Sequence, residues 1–324
     1  MGLHFSVDRM LHMVLDKDAS DLHLVSGDPP RCRQYGHLQQ IDSNKMNPKD
    51  LQDALFGIMG VATRETFEQR DGCDFAYGLQ DKARFRVNVF RHLGGIGAIF
   101  RAIPSQAMSI EELNLPSVVR TLCNESQGMI LVTGKTGSGK STTLAAMIDH
   151  INDQRKGHII TIEDPIEFVH SRKQCLMSQR EIGIHTPSFS SALHSALRED
   201  PDVILVGELR DLETMGIAVT AAETGILVMG TLHTNGAAPT VDRIVNSFPA
   251  EKQGQIRTML STSLRGVISQ QLCRRDGREG RAAALEILVN TPAVANLIRQ
   301  GKLDQLENIM QGGSQFGMQS MDSA

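Results

Sequence analysis

Gly134-Lys135-Thr136-Gly137-Ser138-Gly139-Lys140-Ser141 fits the phosphate-loop pattern G-x-x-x-x-G-K-[ST] at every fixed position. The apolar run 129–132 comes directly before it, and residues 142–148 read as the start of a helix. A buried strand, a glycine-rich turn and a helix are the context that this pattern needs, whereas an ordinary glycine-serine turn requires none of them. The octapeptide therefore predicts a nucleoside triphosphate site in an α/β domain.

The side chains of this loop have roles that follow from their chemistry. Backbone N–H groups and the helix N-terminus attract phosphate, Lys140 adds a point charge, and the hydroxyl of Ser141 suits a magnesium ligand. We expect nucleotide-binding roles along the loop and the first helical turn, at Gly134, Thr136, Gly137, Ser138, Gly139, Lys140, Ser141 and Thr142.

The composition favours a globular protein of two domains. The chain has 324 residues, of which 40% are hydrophobic, and no apolar stretch approaches the ~20 residues of a membrane span. The first residues carry charges and show no signal-peptide core, so we expect a cytoplasmic location.

Charge and cysteine usage argue against nucleic-acid binding, disulfides and a zinc site. The 33 basic and 37 acidic residues give a net charge of −4, which offers no bulk attraction to nucleic acid. The 5 cysteines are scattered without a C-x-x-C pair, so we predict neither a disulfide nor a zinc site.

The patterns along the chain place a domain boundary between two prolines, Pro104 and Pro116. Before it, the predicted elements are a helix at 3–15, a strand at 22–25, a helix at 51–59, a strand at 83–90 and, after a reversal at 94–97, a strand at 98–101. We assign residues 1–103 to an N-terminal domain, 104–118 to a linker, and 119–324 to the nucleotide-binding domain with a C-terminal helical segment.

Short apolar runs alternate with helical patterns in the second domain, which is typical of a mostly parallel sheet flanked by helices. Three runs read as strands buried on both faces, at 129–132, 158–162 and 203–206. The carboxyl ends of such strands lie at one edge of the sheet, so we expect them to converge on the phosphate loop.

Three polar residues follow apolar runs of this sheet. Glu163 and Glu208 each come after a predicted strand, where one acid can orient or deprotonate the attacking water and the other can hold magnesium. Their alternative role is a helix cap or a loop salt bridge. His233 follows the run 226–229, where it is either structural or a hydrogen-bond donor to the terminal phosphate.

Arginines mark one face of the N-terminal strand predicted at 83–90. Its apolar residues share one face, while Arg84 and Arg86 share the other, and Arg101 follows on the next strand. Such charges are commonly a solvated strand face. The alternative is a clamp that stabilises charge on a transferring phosphoryl group.

The order of motifs resembles the secretion-type ATPases that power type IV pili and type II secretion. Three segments beyond the phosphate loop carry the resemblance, and the segments 19–24 and 84–88 resemble the family's N-terminal domain. The three are the aspartate box Ile162-Glu163-Asp164-Pro165-Ile166-Glu167-Phe168, the atypical Walker B Leu205-Val206-Gly207-Glu208-Leu209-Arg210-Asp211, and the histidine box from Thr220-Ala221-Ala222-Glu223-Thr224-Gly225 to His233.

The resemblance implies a PAS-like α+β N-terminal domain, a RecA-like P-loop domain with a mostly parallel sheet, and a homohexamer that hydrolyses ATP. It assigns water activation to Glu163, a magnesium-side role to Glu208 and phosphate sensing to His233, so that Ser141 and Glu208 are the expected metal-side residues. It also implies that Arg84, Arg86 and Arg101 contact nucleotide as the ring closes.

Within that family the chain is most similar to the pilus-retraction branch. The long N-terminal extension and the four-cysteine zinc motif of assembly and secretion ATPases are missing, and residues 293–299 resemble the branch motif A-I-R-N-L-I-R except at Val294 and Ala295. The implied partners are an inner-membrane pilus platform protein and a paralogous ATPase, with docking at the inner face of the cytoplasmic membrane.

Three other functions stay open at this point. One is a pilus-assembly, secretion or conjugation ATPase, and another is a nucleotide-binding accessory subunit that does not hydrolyse ATP. A RecA-like nucleic-acid motor is the third, which the balanced charge gives little support.

Overall fold

The computed structural model describes residues 6–79, 83–103, 107–274 and 281–324. The chain divides into two compact units, Met1–Ser105 and Gln106–Ala324. Within the described ranges, no helix is long and apolar enough to cross a membrane.

The first unit contains one antiparallel sheet of six strands in the order β3-β2-β1-β6-β5-β4. Its elements are α1 Val7–Asp16, β1 Asp21–Val25, β2 Arg31–Gln34, β3 His37–Gln40, α2 Pro48–Ile58, α3 Val61–Gln69, β4 Gly72–Leu79, β5 Ala83–His92 and β6 Gly95–Ile103.

Local sequence explains how these elements form. Ser6 caps α1 by accepting a hydrogen bond from the N–H of Arg9, and the apolar stripe of the helix is buried. The alternation predicted for β5 is confirmed, because Phe85, Val87 and Val89 are fully buried on one face. The first helix was predicted to begin at Leu3, which lies outside the described residues.

The described residues of the second unit form a sheet of seven strands in the order β13-β12-β7-β11-β10-β8-β9, and of these strands only β13 runs antiparallel to its neighbour. Its strands are β7 Gly128–Thr133, β8 His158–Glu163, β9 Leu176–Glu181, β10 Val203–Val206, β11 Leu227–Leu232, β12 Leu264–Arg274 and β13 Arg281–Val289. Its helices are α4 Ser117–Cys123, α5 Lys140–Gln154, α6 Phe189–Ala196, α7 Leu212–Glu223, α8 Ala237–Asn246, α9 Ala250–Ser263, α10 Pro292–Gln300 and α11 Leu306–Gly312.

Helices cover both faces of this sheet. Every residue of β7, β10 and β11 is buried, and two separate hydrophobic clusters lie on the two sides of the sheet. Continuous apolar strands are what such burial requires, so the predicted α/β class with a mostly parallel sheet is confirmed.

The segment between the prolines packs into the second unit. Ile110 and Leu115 are buried in the cluster that also contains Val118 and Leu122 of α4. Residues 107–118, which the sequence analysis assigns to a linker, therefore contribute to the core of the nucleotide-binding unit.

The C-terminal segment is helical where the sequence predicts it. Thr291 caps α10 and Gly301 ends it in a left-handed conformation, with φ of +71°. Val294, Leu297 and Ile298 are buried on one face, so this helix packs on the core.

Candidate functional site for nucleotide binding and hydrolysis

The phosphate-binding loop connects the end of β7 to the start of α5. Its glycines have positive φ angles of +140° at Gly134, +79° at Gly137 and +89° at Gly139. A β-carbon on Gly134 would lie 2.3 Å from the carbonyl oxygen of Gln270. Gly134 is therefore required both by its backbone angle and by the close approach of β12.

Lys140 begins α5 and folds back over the loop. Its Nζ donates to the carbonyl oxygens of Gly134 at 2.8 Å and Lys135 at 3.1 Å. Burial lowers the pKa of Lys140, and the negative charges of Glu208 and Glu167 oppose that effect. The ammonium group thus lies inside the loop and within the field of the site's carboxylates.

The remaining donors of the loop fit a phosphate chain. The hydroxyl oxygens of Thr133 and Ser138 are buried and have no hydrogen-bond partner within the described part of the chain. Gly139 caps α5 without a side-chain hydrogen bond, which leaves the N–H groups of the first helical turn available to an anion. Thr136 is exposed, and Ser141 and Thr142 are partly exposed in the loop and the first turn.

Four parallel strands bring the predicted chemistry to one edge of the sheet. β7, β11, β10 and β8 are successive neighbours. Their carboxyl ends carry, in that order, the phosphate-binding loop, His233, Glu208 and Glu163. At about 4.8 Å per strand, the ends of β7 and β8 are about 14 Å apart, so a triphosphate at the loop can extend along this edge toward both glutamates.

The segment that carries Glu208 is fixed on both sides. The N–H of Gly207 donates to the carbonyl of Ile162 at 2.7 Å, and the N–H of Leu209 donates to the carbonyl of Thr231 at 2.9 Å. A β-carbon on Gly207 would lie 3.1 Å from the Ile162 oxygen, so the close approach of β8 favours glycine at this position.

Both oxygens of the Glu208 carboxylate have a partner. One lies 2.6 Å from a terminal nitrogen of Arg210, and the other lies 3.2 Å from Nε2 of His233. Burial raises the pKa of Glu208, but the hydrogen bonds and charges of Arg210 and His233 outweigh it, and the pKa is lowered overall. Glu208 is therefore ionised at neutral pH.

Glu163 ends β8 in a different environment. Its Oε1 accepts a hydrogen bond from the hydroxyl of Thr161 at 2.6 Å and a longer one from Nε2 of Gln179 at 3.4 Å. Burial raises the pKa of Glu163 and prevails over the hydrogen bonds that lower it. The two glutamates of this edge therefore differ in proton affinity, which suits Glu163 to accept a proton and Glu208 to remain a fixed charge.

The type II/IV secretion system protein family matches residues 3–321 of the chain. The chain belongs to this family. It is 50% identical over 316 residues to the type IV pilus retraction ATPase PilT of Pseudomonas aeruginosa, which covers 98% of this chain and 92% of that protein. It is also 50% identical over 311 residues to a twitching motility protein of Neisseria gonorrhoeae, which covers 94% of this chain and 83% of that protein.

A solved member of the family has the same fold. The crystal structure of the pilus retraction motor PilT with bound ADP matches with a TM-score of 0.92 at 45% identity, over 98% of this chain and 91% of that one. The resemblance drawn from the motifs is therefore confirmed at the level of family and fold.

Sequence reasoning did not identify three residues that lie at the candidate site of this chain. Gln270 of β12 lies against Gly134, and its Oε1 accepts a hydrogen bond from the hydroxyl of Thr143 at 2.7 Å. Gln179 and Arg210 contact Glu163 and Glu208, respectively. Arg210 could have been noted because it lies two residues after Glu208, whereas the glutamines carry no sequence signal of their own.

The arginines that the resemblance assigns to nucleotide contact lie in the first unit. Arg86 of β5 is opposite Arg101 of β6 in the sheet, and Arg84 lies two residues before Arg86 on the same face. Nε of Arg101 donates to Oδ1 of Asp21 at 2.9 Å. The structure thus brings the three guanidinium groups to one face of the N-terminal sheet, and their contact with nucleotide stays a prediction.

Proposed function

We propose that this protein is an ATPase that hydrolyses ATP to ADP and phosphate and uses the reaction to drive retraction of a type IV pilus. One observation carries the proposal. A phosphate-binding loop, His233, Glu208 and Glu163 lie at successive strand ends in a chain that matches a pilus retraction ATPase over 98% of its length.

The loop and the start of α5 bind the phosphates. Lys140 and the free N–H groups of the first turn hold the β- and γ-phosphates, and the orphaned hydroxyl of Ser138 gains a partner. Among the described residues, no group of three or more His, Cys, Asp or Glu side chains could hold a metal. The hydroxyl of Ser141, on the side of Glu208, would hold Mg2+, which would supply charge compensation on the phosphates.

The strand ends beside the loop supply the reaction's acid and base groups. Glu163, with its raised pKa, orients the attacking water and accepts its proton. Glu208 stays ionised beside Arg210 on the magnesium side of the nucleotide. His233 contacts the same Glu208 carboxylate as Arg210 and so reports a change in charge at the terminal phosphate.

The coupling of hydrolysis to movement is proposed from the family resemblance. We expect a homohexamer in the cytoplasm that docks at the inner face of the cytoplasmic membrane through a pilus platform protein. In it, Arg84, Arg86 and Arg101 bind nucleotide phosphate when the subunits close, and hydrolysis releases them.

ATP turnover by the purified chain tests the chemical step. We expect Lys140→Ala and Glu163→Gln each to lower kcat by about 100-fold or more, because each removes a group that acts on the reacting phosphate. Lys302→Ala, an exposed lysine just beyond α10, serves as the matched control and should leave kcat unchanged. Equal, near-background rates for wild type and both site variants would identify a non-hydrolysing subunit.

Surface pili counted by electron microscopy test the biological direction. The comparison is between wild-type cells and a chromosomal Glu163→Gln strain with normal protein levels. Excess pili are the expected result because retraction has stopped. Bald cells would assign the chain to assembly, and an unchanged count would assign it to secretion or to an accessory role.

A further inference from the structure

The two side-chain donors to the Glu163 carboxylate meet the same oxygen. The hydroxyl of Thr161 and Nε2 of Gln179 both donate to Oε1, and the N–H of Glu167 is a backbone donor to the same carboxylate. Thr161 and Gln179 are register partners on the neighbouring parallel strands β8 and β9. Two rigid strands therefore present both donors to the same atom.

Gln179 also ties Glu163 to the segment that follows it. Its Nε2 donates to the carbonyl of Phe168 at 2.9 Å, and its Oε1 accepts from the N–H of His170 at 2.9 Å. These two bonds fix the orientation of the carboxamide, so its nitrogen has one direction in which to meet Glu163. The side chain thus couples the position of the carboxylate to the aspartate-box segment.

The charged surroundings of Glu163 make these donors important. Burial and the carboxylate of Glu167 raise the pKa of Glu163, while Thr161, Gln179 and the N–H of Glu167 lower it. A further acid, Glu181, lies opposite Glu163 on β9, and Glu208 follows the other neighbouring strand, β10. Without the two side-chain donors, burial and Glu167 would raise the pKa of Glu163 further.

We propose that Thr161 and Gln179 are positioning residues, which hold Oε1 of Glu163 so that Oε2 faces the attacking water. The inference rests on the proposed function. The water oxygen forms a bond to the γ-phosphorus, the bond from that phosphorus to the β–γ bridging oxygen breaks, and the proton of the water passes to Oε2. The products are ADP and phosphate, and Glu163 carries the proton that the water has lost.

Substitution of Thr161 gives a clean test because the residue is fully buried in β8 and valine has nearly the same shape. We expect Thr161→Val to lower kcat by about tenfold, the effect of losing one hydrogen bond to a charged group, with KM within about twofold of wild type. The acidic limb of the kcat profile should move to higher pH, since the ionised carboxylate has lost a donor. Thr161→Ser, which keeps the hydroxyl, should restore both values.

A second variant tests the other donor independently. Gln179→Met should also lower kcat and move the acidic limb to higher pH, to a smaller extent because its bond to Glu163 is the longer one. Thr258→Val on α9 is the matched control, since its hydroxyl donates to a helix carbonyl and touches no site residue.

The outcomes separate this inference from the function on which it rests. Wild-type kcat and an unmoved acidic limb in folded Thr161→Val and Gln179→Met would overturn the inference while leaving the ATPase intact. Loss of activity in Thr161→Ser equal to that in Thr161→Val would also overturn it, because packing and not the hydroxyl would then matter. Wild-type turnover no higher than that of Glu163→Gln would instead overturn the proposed function.

Discussion

The Nε2 nitrogen of His233 lies 3.2 Å from Oε1 of Glu208, although 24 residues separate them in the chain. The contact forms because β10 and β11 are adjacent and parallel, with Val206 opposite Gly230. Each polar residue follows its strand by a short distance, so the two side chains meet at the sheet edge. The phosphate sensor and the fixed carboxylate assigned by the family resemblance are thus one hydrogen-bonded unit.

This contact predicts that His233→Ala and Glu208→Gln are not additive in their effect on kcat. Each substitution should lower kcat by about 10- to 100-fold, and the double variant should be no more than about threefold worse than the poorer single one. The measurement is kcat for the four proteins of the cycle at saturating ATP. Multiplying effects would show that the two residues act independently.

Close packing of β12 on the phosphate-binding loop predicts a large cost for a small substitution. Gly134→Ala should lower the free energy of unfolding by about 3 kcal/mol or more, because the added carbon meets a carbonyl oxygen in a backbone region that favours glycine. Gly183→Ala is the control, since φ is +80° there and a β-carbon would have no neighbour within 4 Å. It should cost about 1 kcal/mol. Urea unfolding measures both, and equal costs would contradict the prediction.

Glu163 should reduce the stability of the fold at neutral pH. Its pKa in the folded protein is raised above the usual value of 4.5, so ionisation in the folded state is disfavoured relative to the unfolded chain. The cost is absent below pH 4.5, appears as the pH rises above that value, and is complete above the folded pKa. Glu163→Gln, which keeps an acceptor for Thr161, should therefore raise the melting temperature at pH 8 and lose this advantage near pH 4. Scanning calorimetry across this range checks it, and an advantage independent of pH would contradict the assigned cause.

Arg101 and Arg86 should differ in their effect on stability although they face each other across β5 and β6. The Asp21 side chain that pairs with Arg101 is only 5% exposed, whereas Arg86 and its partner Asp74 are both at least half exposed and 3.9 Å apart. Arg101→Ala removes the guanidinium from a buried carboxylate, which keeps its hydrogen bond from the hydroxyl of Ser20, and should cost about 1–2 kcal/mol. Arg86→Ala should cost less than about 0.5 kcal/mol. Urea unfolding of both variants decides this, and equal costs would mean that the hydrogen bond from Ser20 is sufficient for the buried carboxylate.

Local sequence was sufficient to predict the strands that are buried on both faces and the phosphate-binding loop. The strands β7, β10 and β11 are buried along their whole length, so their residues read as continuous apolar runs, and the glycine spacing of the loop reports backbone angles directly. The short strands Arg31–Gln34 and His37–Gln40 were missed because they are mostly polar and largely exposed, and β9 was missed because most of its residues are polar.

Relations between distant residues depended on the tertiary structure. The chain itself specified a phosphate-binding loop, an acid after each of two strands and a histidine after a third, because these are properties of short segments. The contact of Gln270 with Thr143 joins residues 127 positions apart, and the place of Gln179 beside Glu163 depends on the register of β9 against β8. Nothing in a short segment encodes such a contact, since it arises only when the order and register of the strands bring the side chains together.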